Sequence, residues 1–126
     1  MKRLTTLLIA IFCVGVLSAQ EPYKVFCSIS GSYRNTELQS TTRVTINYGQ
    51  EDLRRSYLVD EQGKELDLKS VTAVANYLSK LGWEFEDSHI VGENQLRCVW
   101  IMSKMVTDDS QITEGFTTAL MYKNGE

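Results

Sequence analysis

An α+β domain, with an antiparallel sheet of four to five strands packed on one main helix and a helical C-terminal tail, is the architecture the sequence predicts. Three observations carry it. Several segments between Tyr23 and Lys104 alternate apolar and polar residues with period two, while one segment, from Ser70 to Gly82, has helical periodicity and a signal at each end. The composition is that of an ordinary folded domain: 126 residues, 43% hydrophobic and 23% charged, with a single proline. That length and balance exclude a multidomain machine and a disulfide-dense mini-protein.

The first nineteen residues read as an export signal rather than as part of the fold. Lys2 and Arg3 form a charged start, Leu4 to Leu17 is largely apolar, and Ser18 and Ala19 supply the small residues of a cleavage site. The apolar stretch is shorter than the roughly 20 residues that span a bilayer, which disfavours a retained anchor. Cys13 follows the bulky Phe12, whereas a lipoprotein signal has a small residue there. Cleavage after Ala19 removes two of the thirteen basic residues, leaving eleven against sixteen acidic and a net charge of −5. An acidic chain without a basic cluster is a poor ligand for nucleic acid or anionic lipid. Residues 20–105 are then the α+β domain and 106–126 its tail, with no membrane span in the mature chain.

Along the mature chain, Tyr23, Val25, Cys27 and Ile29 fall on one face of a first strand. Gly31 to Thr41 is polar and loop-like. Val44, Ile46 and Tyr48 alternate with Arg43, Thr45 and Asn47 as a second strand that Gly49 ends, and Gln50 to Ser56 is a charged turn. Tyr57–Asp60 and Glu65–Leu68 flank a hairpin loop closed at Gly63. Ser70 then caps a helix with Val71, Val74, Ala75, Leu78 and Leu81 on one face, and Gly82 stops it. Trp83 and Phe85 alternate with Glu84 and Glu86, predicting a strand with its aromatic residues inward. After a turn at Gly92–Gln95, the run Leu96 to Lys104 is apolar on both faces: Leu96, Cys98, Trp100 and Met102 on one, Val99 and Ile101 on the other. Such a strand is central in its sheet or has its second face covered. The tail offers a cover, because Asp108 and Gln111 have capping-box spacing and Ile112, Phe116, Ala119 and Leu120 form an apolar stripe, weakened by Gly115.

The chemistry-bearing residues are sparse. His89 is the one histidine, too few ligands for zinc with only two widely separated cysteines in the mature chain; no metal or cofactor is expected. Cys27 and Cys98 are a disulfide, a buried reduced pair, or, with His89, a thiol nucleophile; bonded, they would stabilise by about 4 kcal/mol in the chain-entropy picture. Glu84 and Glu86 share a strand face near the ~5 Å spacing of a retaining glycosidase, but they point away from Trp83 and Phe85 toward water, where a carboxyl stays an ordinary anion. Tyr23, Tyr33, Tyr48, Tyr57, Trp83 and Trp100 are candidates for stacking on sugars, although alternating aromatics more often form core. No nucleophile elbow and no glycine-rich phosphate loop occurs.

The run Tyr77-Leu78-Ser79-Lys80-Leu81-Gly82-Trp83-Glu84-Phe85, after Tyr23-Lys24-Val25 and before Lys104, resembles small bacterial domains with a Y-K-V strand, a helix ending in G-W-E and a closing strand ending in Lys or Arg. With Asp60-Glu61-Gln62-Gly63-Lys64 before the helix, the pattern is similar to that of exported Bacteroidota proteins carrying a domain of unknown function. The resemblance implies a small α+β fold and brings no catalytic residues. The expected function is therefore a non-enzymatic module, in the periplasm or secreted, that binds an envelope or extracellular protein or glycan, homo-oligomerisation included. Its surface would be Val99, Ile101, Ile112, Phe116 and Leu120. The alternative is a small periplasmic hydrolase using Glu84, Glu86 or His89.

Overall fold

The computed structural model describes residues 20–32 and 43–126. The export signal over 1–19 and most of the polar stretch after Gly31 lie outside the described residues. The architecture is α+β: a four-stranded antiparallel sheet, one main helix, a two-stranded ribbon and a short C-terminal helix.

The sheet contains β1 (Tyr23–Ser32), β2 (Thr45–Asn47), β4 (Glu84–Val91) and β5 (Arg97–Val106), in the order β2-β1-β5-β4. β1 and β5 pair along ten residues, from Tyr23 opposite Val106 to Ser32 opposite Arg97. β1 thus runs through Gly31 and Ser32, two residues that the sequence reads as loop. The doubly apolar strand β5 is central, flanked by β1 and β4, which explains its apolar residues on both faces. Because opposed residues in an antiparallel ladder share a face, Val25, Cys27, Ile29, Trp100, Met102 and Val106 line one face of the sheet. Phe26, Ser28, Ser30, Val99, Ile101, Ser103 and Met105 line the other.

The first of these faces carries α1 (Val71–Ser79). Ser70 caps it, accepting the Ala73 N–H at 3.0 Å, and Val71, Val74, Ala75 and Leu78 are its buried stripe. The helix ends where Gly82 takes φ +96°, while the Trp83 N–H donates to the Leu78 carbonyl and the Gly82 N–H to the Ser79 carbonyl, both at 3.2 Å. This double closure satisfies the last carbonyls and needs a residue without Cβ at the left-handed position. It also drops Trp83, 1% exposed, directly under the helix into a core with Cys27, Ile29, Ile46, Leu78 and Met102. Phe85 shares the face of Met102, but it stands on the edge strand outside that core and is exposed, contrary to the inward placement its alternation with Trp83 suggests.

The C-terminal segment differs most from expectation. A continuous helix over the Ile112–Leu120 stripe does not form. Asp108 and Gln111 do cap a short 3-10 turn (Asp109–Gln111), with Gln111 Oε1 accepting the Thr107 N–H at 2.7 Å. Gly115 then takes φ +91°, and a Cβ there would lie 2.6 Å from the Leu81 side chain. The chain continues as β6 (Thr117–Thr118), pairing with β3 (Leu58–Val59), before the five-residue α2 (Ala119–Lys123). The loop beside β3 turns at Gly63 as read, but its second arm over Glu65–Leu68 is no strand and meets β3 only in an isolated bridge of Val59 with Glu65; the Asp60 carboxylate accepts the Gln62 and Lys64 N–H groups at 2.9 Å. No helix among the described residues is long and apolar enough to cross a membrane.

Candidate functional site

The tail packs on the same side of the sheet as α1. Phe116 is buried in the main core, edge-to-face with Tyr48 at 5.7 Å, and Ile112 packs against that core. Lys104, from β5, lays its ammonium 5.8 Å from the Trp83 ring and donates to the Gln111 carbonyl at 2.9 Å, binding tail to sheet. The structure therefore corrects the expectation that Ile112, Phe116 and Leu120 cover the second face of β5. They do not join Val99 and Ile101: Ile112 and Phe116 complete the core beyond the sheet, and Leu120 is half-buried in α2.

Among the described residues nothing covers the second face, and it is their most distinctive surface. Val99 and Ile101 are half-buried at its centre, between the small Ser30 and Ser28 of β1 on one side and His89 and Asp87 of β4 on the other. Phe26 and Met105, each 56% exposed, extend the apolar surface at one end, and Val91, 41% exposed, at the other. On the β1 side small serines flank Val99 and Ile101, while on the β4 side the larger Asp87 and His89 do. Two hydroxyls of the face are engaged: Ser30 with Thr45 at 3.1 Å and with Arg97 at 3.0 Å, and Ser103 with Glu86.

One margin of this face is acidic. Glu84, Glu86 and Asp87 project from β4, where Glu86 is the extra residue of a bulge between Phe85 and Asp87. The Ser103 hydroxyl, followed by the Lys24 ammonium at 3.4 Å, holds the Glu86 carboxyl below its ordinary range. A group so stabilised as an anion accepts hydrogen bonds; it is poorly suited to donate a proton to a leaving group. Glu84 is exposed beside it, and His89 is exposed opposite Val99. Among the described residues, no three His, Cys, Asp or Glu side chains converge as a metal site would require.

Cys27 and Cys98 are both free and buried. Cys27 lies opposite Met102, four positions along β5 from Cys98. That spacing is about 13 Å, well beyond the roughly 7 Å between Cα atoms that a disulfide tolerates. Of the readings open in the sequence, a buried reduced pair is what the register builds, and burial pushes the Cys27 thiol up to about 12. The aromatic candidates also disperse. Trp83 is core, Tyr48 and Trp100 pack against the core, Tyr57 lies under Arg43, Tyr23 binds Asp109, and Tyr33 is outside the described residues.

A cleft of about 180 Å³ lies elsewhere, between Tyr48, the loop after β2 and α2. It is smaller than a typical small-molecule pocket. Within its lining Arg54 is paired with Asp52 at 2.8 Å, and Ser56 donates to the Leu53 carbonyl. Sequence reasoning missed Phe26, Met105 and Val91 as surface residues. The signal for the first two was present, since Phe26 and Met105 fall out of phase with the inward residues of their own strands.

Comparison with family models, with curated proteins and with solved structures returns no match. The functional reading rests on the chain's own surface chemistry.

Proposed function

We propose that the chain is an exported, non-enzymatic module that binds a protein partner in the periplasm or outside the cell, as the resemblance to exported Bacteroidota proteins suggests. The carrying observation is the apolar stripe of β5, continued by Phe26 and Met105, on a sheet face that neither α1 nor the tail covers. A contiguous apolar surface rimmed by polar groups is the usual form of an interaction site. Phe26 is the one phenyl ring among the described residues of this face, and the rest of its apolar surface is aliphatic or thioether, which suits a protein surface better than a sugar ring. The acidic margin on β4 favours a partner that presents basic side chains there.

The test is capture from envelope and culture-fluid extract on the immobilised chain, with retained material identified by mass spectrometry. Phe26→Ser with Met105→Ser alters the open face only; Leu53→Ser, on an exposed loop away from the sheet, is the control. One stoichiometric protein is expected on the parent and control chains. Its retention should fall about tenfold or more on the face variant. Equal retention on all three, or retention of glycan alone, overturns the reading.

A further inference from the structure

The two edges of the four-stranded sheet are finished differently. At β2 the edge is three residues long and sealed: the Ile46 N–H donates to the Ser56 carbonyl at 2.8 Å, and the Ile46 carbonyl accepts from Gln50 Nε2 at 2.9 Å. β4 is eight residues long, and every one of them is exposed. Among the described residues no strand pairs outside it. That leaves a ladder of roughly 27 Å open to a further strand.

We infer that β4 is a homodimerisation edge, on which a second copy of this chain pairs antiparallel about Ser88 to make one continuous eight-stranded sheet. The register carries the inference. Phe85, Ser88 and Ile90 share the helix-bearing face, while Glu84, Asp87, His89 and Val91 share the open face, with Glu86 as the bulged residue. Antiparallel pairing requires opposed residues to share a face. Centring on Ser88, with each copy carrying its own bulge, satisfies this at every position. Ser88 meets Ser88, Asp87 meets His89, Phe85 meets Ile90 and Glu84 meets Val91, each unlike pair occurring twice by the two-fold axis.

The pairs that result are chemically matched. Phe85 and Ile90 are 54% and 50% exposed on a single chain, and Phe85 is already edge-to-face with Trp100 at 5.2 Å. Ile90 of a second copy extends that cluster and covers both. On the opposite face, an imidazole N–H stands across from the Asp87 carboxylate. Asp87 now accepts the N–H of its neighbour Ser88 at 2.8 Å, an exposed local bond that is cheaply exchanged. Moving the centre by one residue sets Asp87 against Asp87 or His89 against His89, so the charges that commonly guard an edge strand select one register here. The inference is independent of the proposed partner, because the open face stays open on both copies.

The test uses the purified chain, its dimerisation followed by light scattering across a dilution series. The parent should dimerise, and Ile90→Lys should weaken dimerisation about tenfold or more without entering the core. Asp87→His and His89→Asp should each weaken it, and the double variant should restore it. Ser88→Cys should form a disulfide-linked dimer on mild oxidation, while Glu93→Cys at the hairpin tip should not, since opposed Cα atoms in the ladder lie within disulfide range. A chain monomeric throughout, or a dimer that Ile90→Lys and the charge exchange leave unchanged, overturns the inference. Cross-linking at Glu93→Cys equal to that at Ser88→Cys overturns the register.

Discussion

Trp83 shows how much one residue settles in this fold. Its N–H closes the helix onto Leu78, its ring fills the space under α1, and its indole Nε1 has no hydrogen-bond partner among the described residues. Trp83→Phe therefore loses volume but no hydrogen bond, and should cost far less than Trp83→Ala, for which about 3–5 kcal/mol is expected in denaturant unfolding. Ser70→Ala removes the helix cap and should cost about 1 kcal/mol. Two titrations set the alkaline limit. The Tyr23 phenol, hydrogen-bonded to Asp109 at 2.5 Å and facing that carboxylate's charge, is pushed up to about 12, and the buried Cys27 thiol is also pushed up to about 12. Both folded-state values lie above the unfolded ones, so the stability they confer is complete at neutral pH. It is lost as pH rises through the window from about 9 to about 12. Thermal melts should fall through that window, less steeply for Tyr23→Phe. Cys27 and Cys98 should both stay unreactive to thiol reagents until the chain unfolds.

Among the elements, α1 and the strands β1 and β5 taken singly were legible because their signals are local and redundant, whereas the pairing of β1 with β5 came only with the structure. Ser70, Gly82 and a five-residue apolar stripe agree with one another, and Val99 and Ile101 marked β5 as a strand that is either central or covered on its second face; the structure makes it central. The tail was not legible. Ile112, Phe116 and Leu120 have helical spacing, yet Gly115 sits in a left-handed conformation against Leu81, and Thr117–Thr118, with no apolar signature, pairs with Leu58–Val59. A partner far along the chain decided both, and periodicity carries no trace of it. Phe85 misled for a related reason: alternation reports a shared face, whereas burial depends on how far the helix reaches across the sheet. The tail is consequently part of the core. Phe116→Ala should cost about 3–5 kcal/mol, and deleting the residues after Val106 should abolish cooperative unfolding; a truncated chain of unchanged stability would show the tail to be an appendage.

Taken together, helix, ribbon and tail all gather on one face of the sheet, and the other face is left to serine hydroxyls and an aliphatic stripe. The candidate surface was half visible in the sequence. Val99 and Ile101 announced a second apolar face, but of the residues named as their cover Ile112 and Phe116 belong to the core opposite and Leu120 is half-buried in α2. Among the described residues the domain has one sealed edge, one open edge and one open face, each the consequence of identifiable residues. The central claim is that this face meets solvent in the free chain. Methionine oxidation by dilute peroxide, mapped by mass spectrometry on the native chain, tests it directly, because adjacent faces of one strand carry the two probes. Met105, 56% exposed on the open face, should convert to sulfoxide readily, while Met102, 2% exposed among the core residues, should convert only on unfolding. Equal protection of both would mean that the face is covered and would contradict the account.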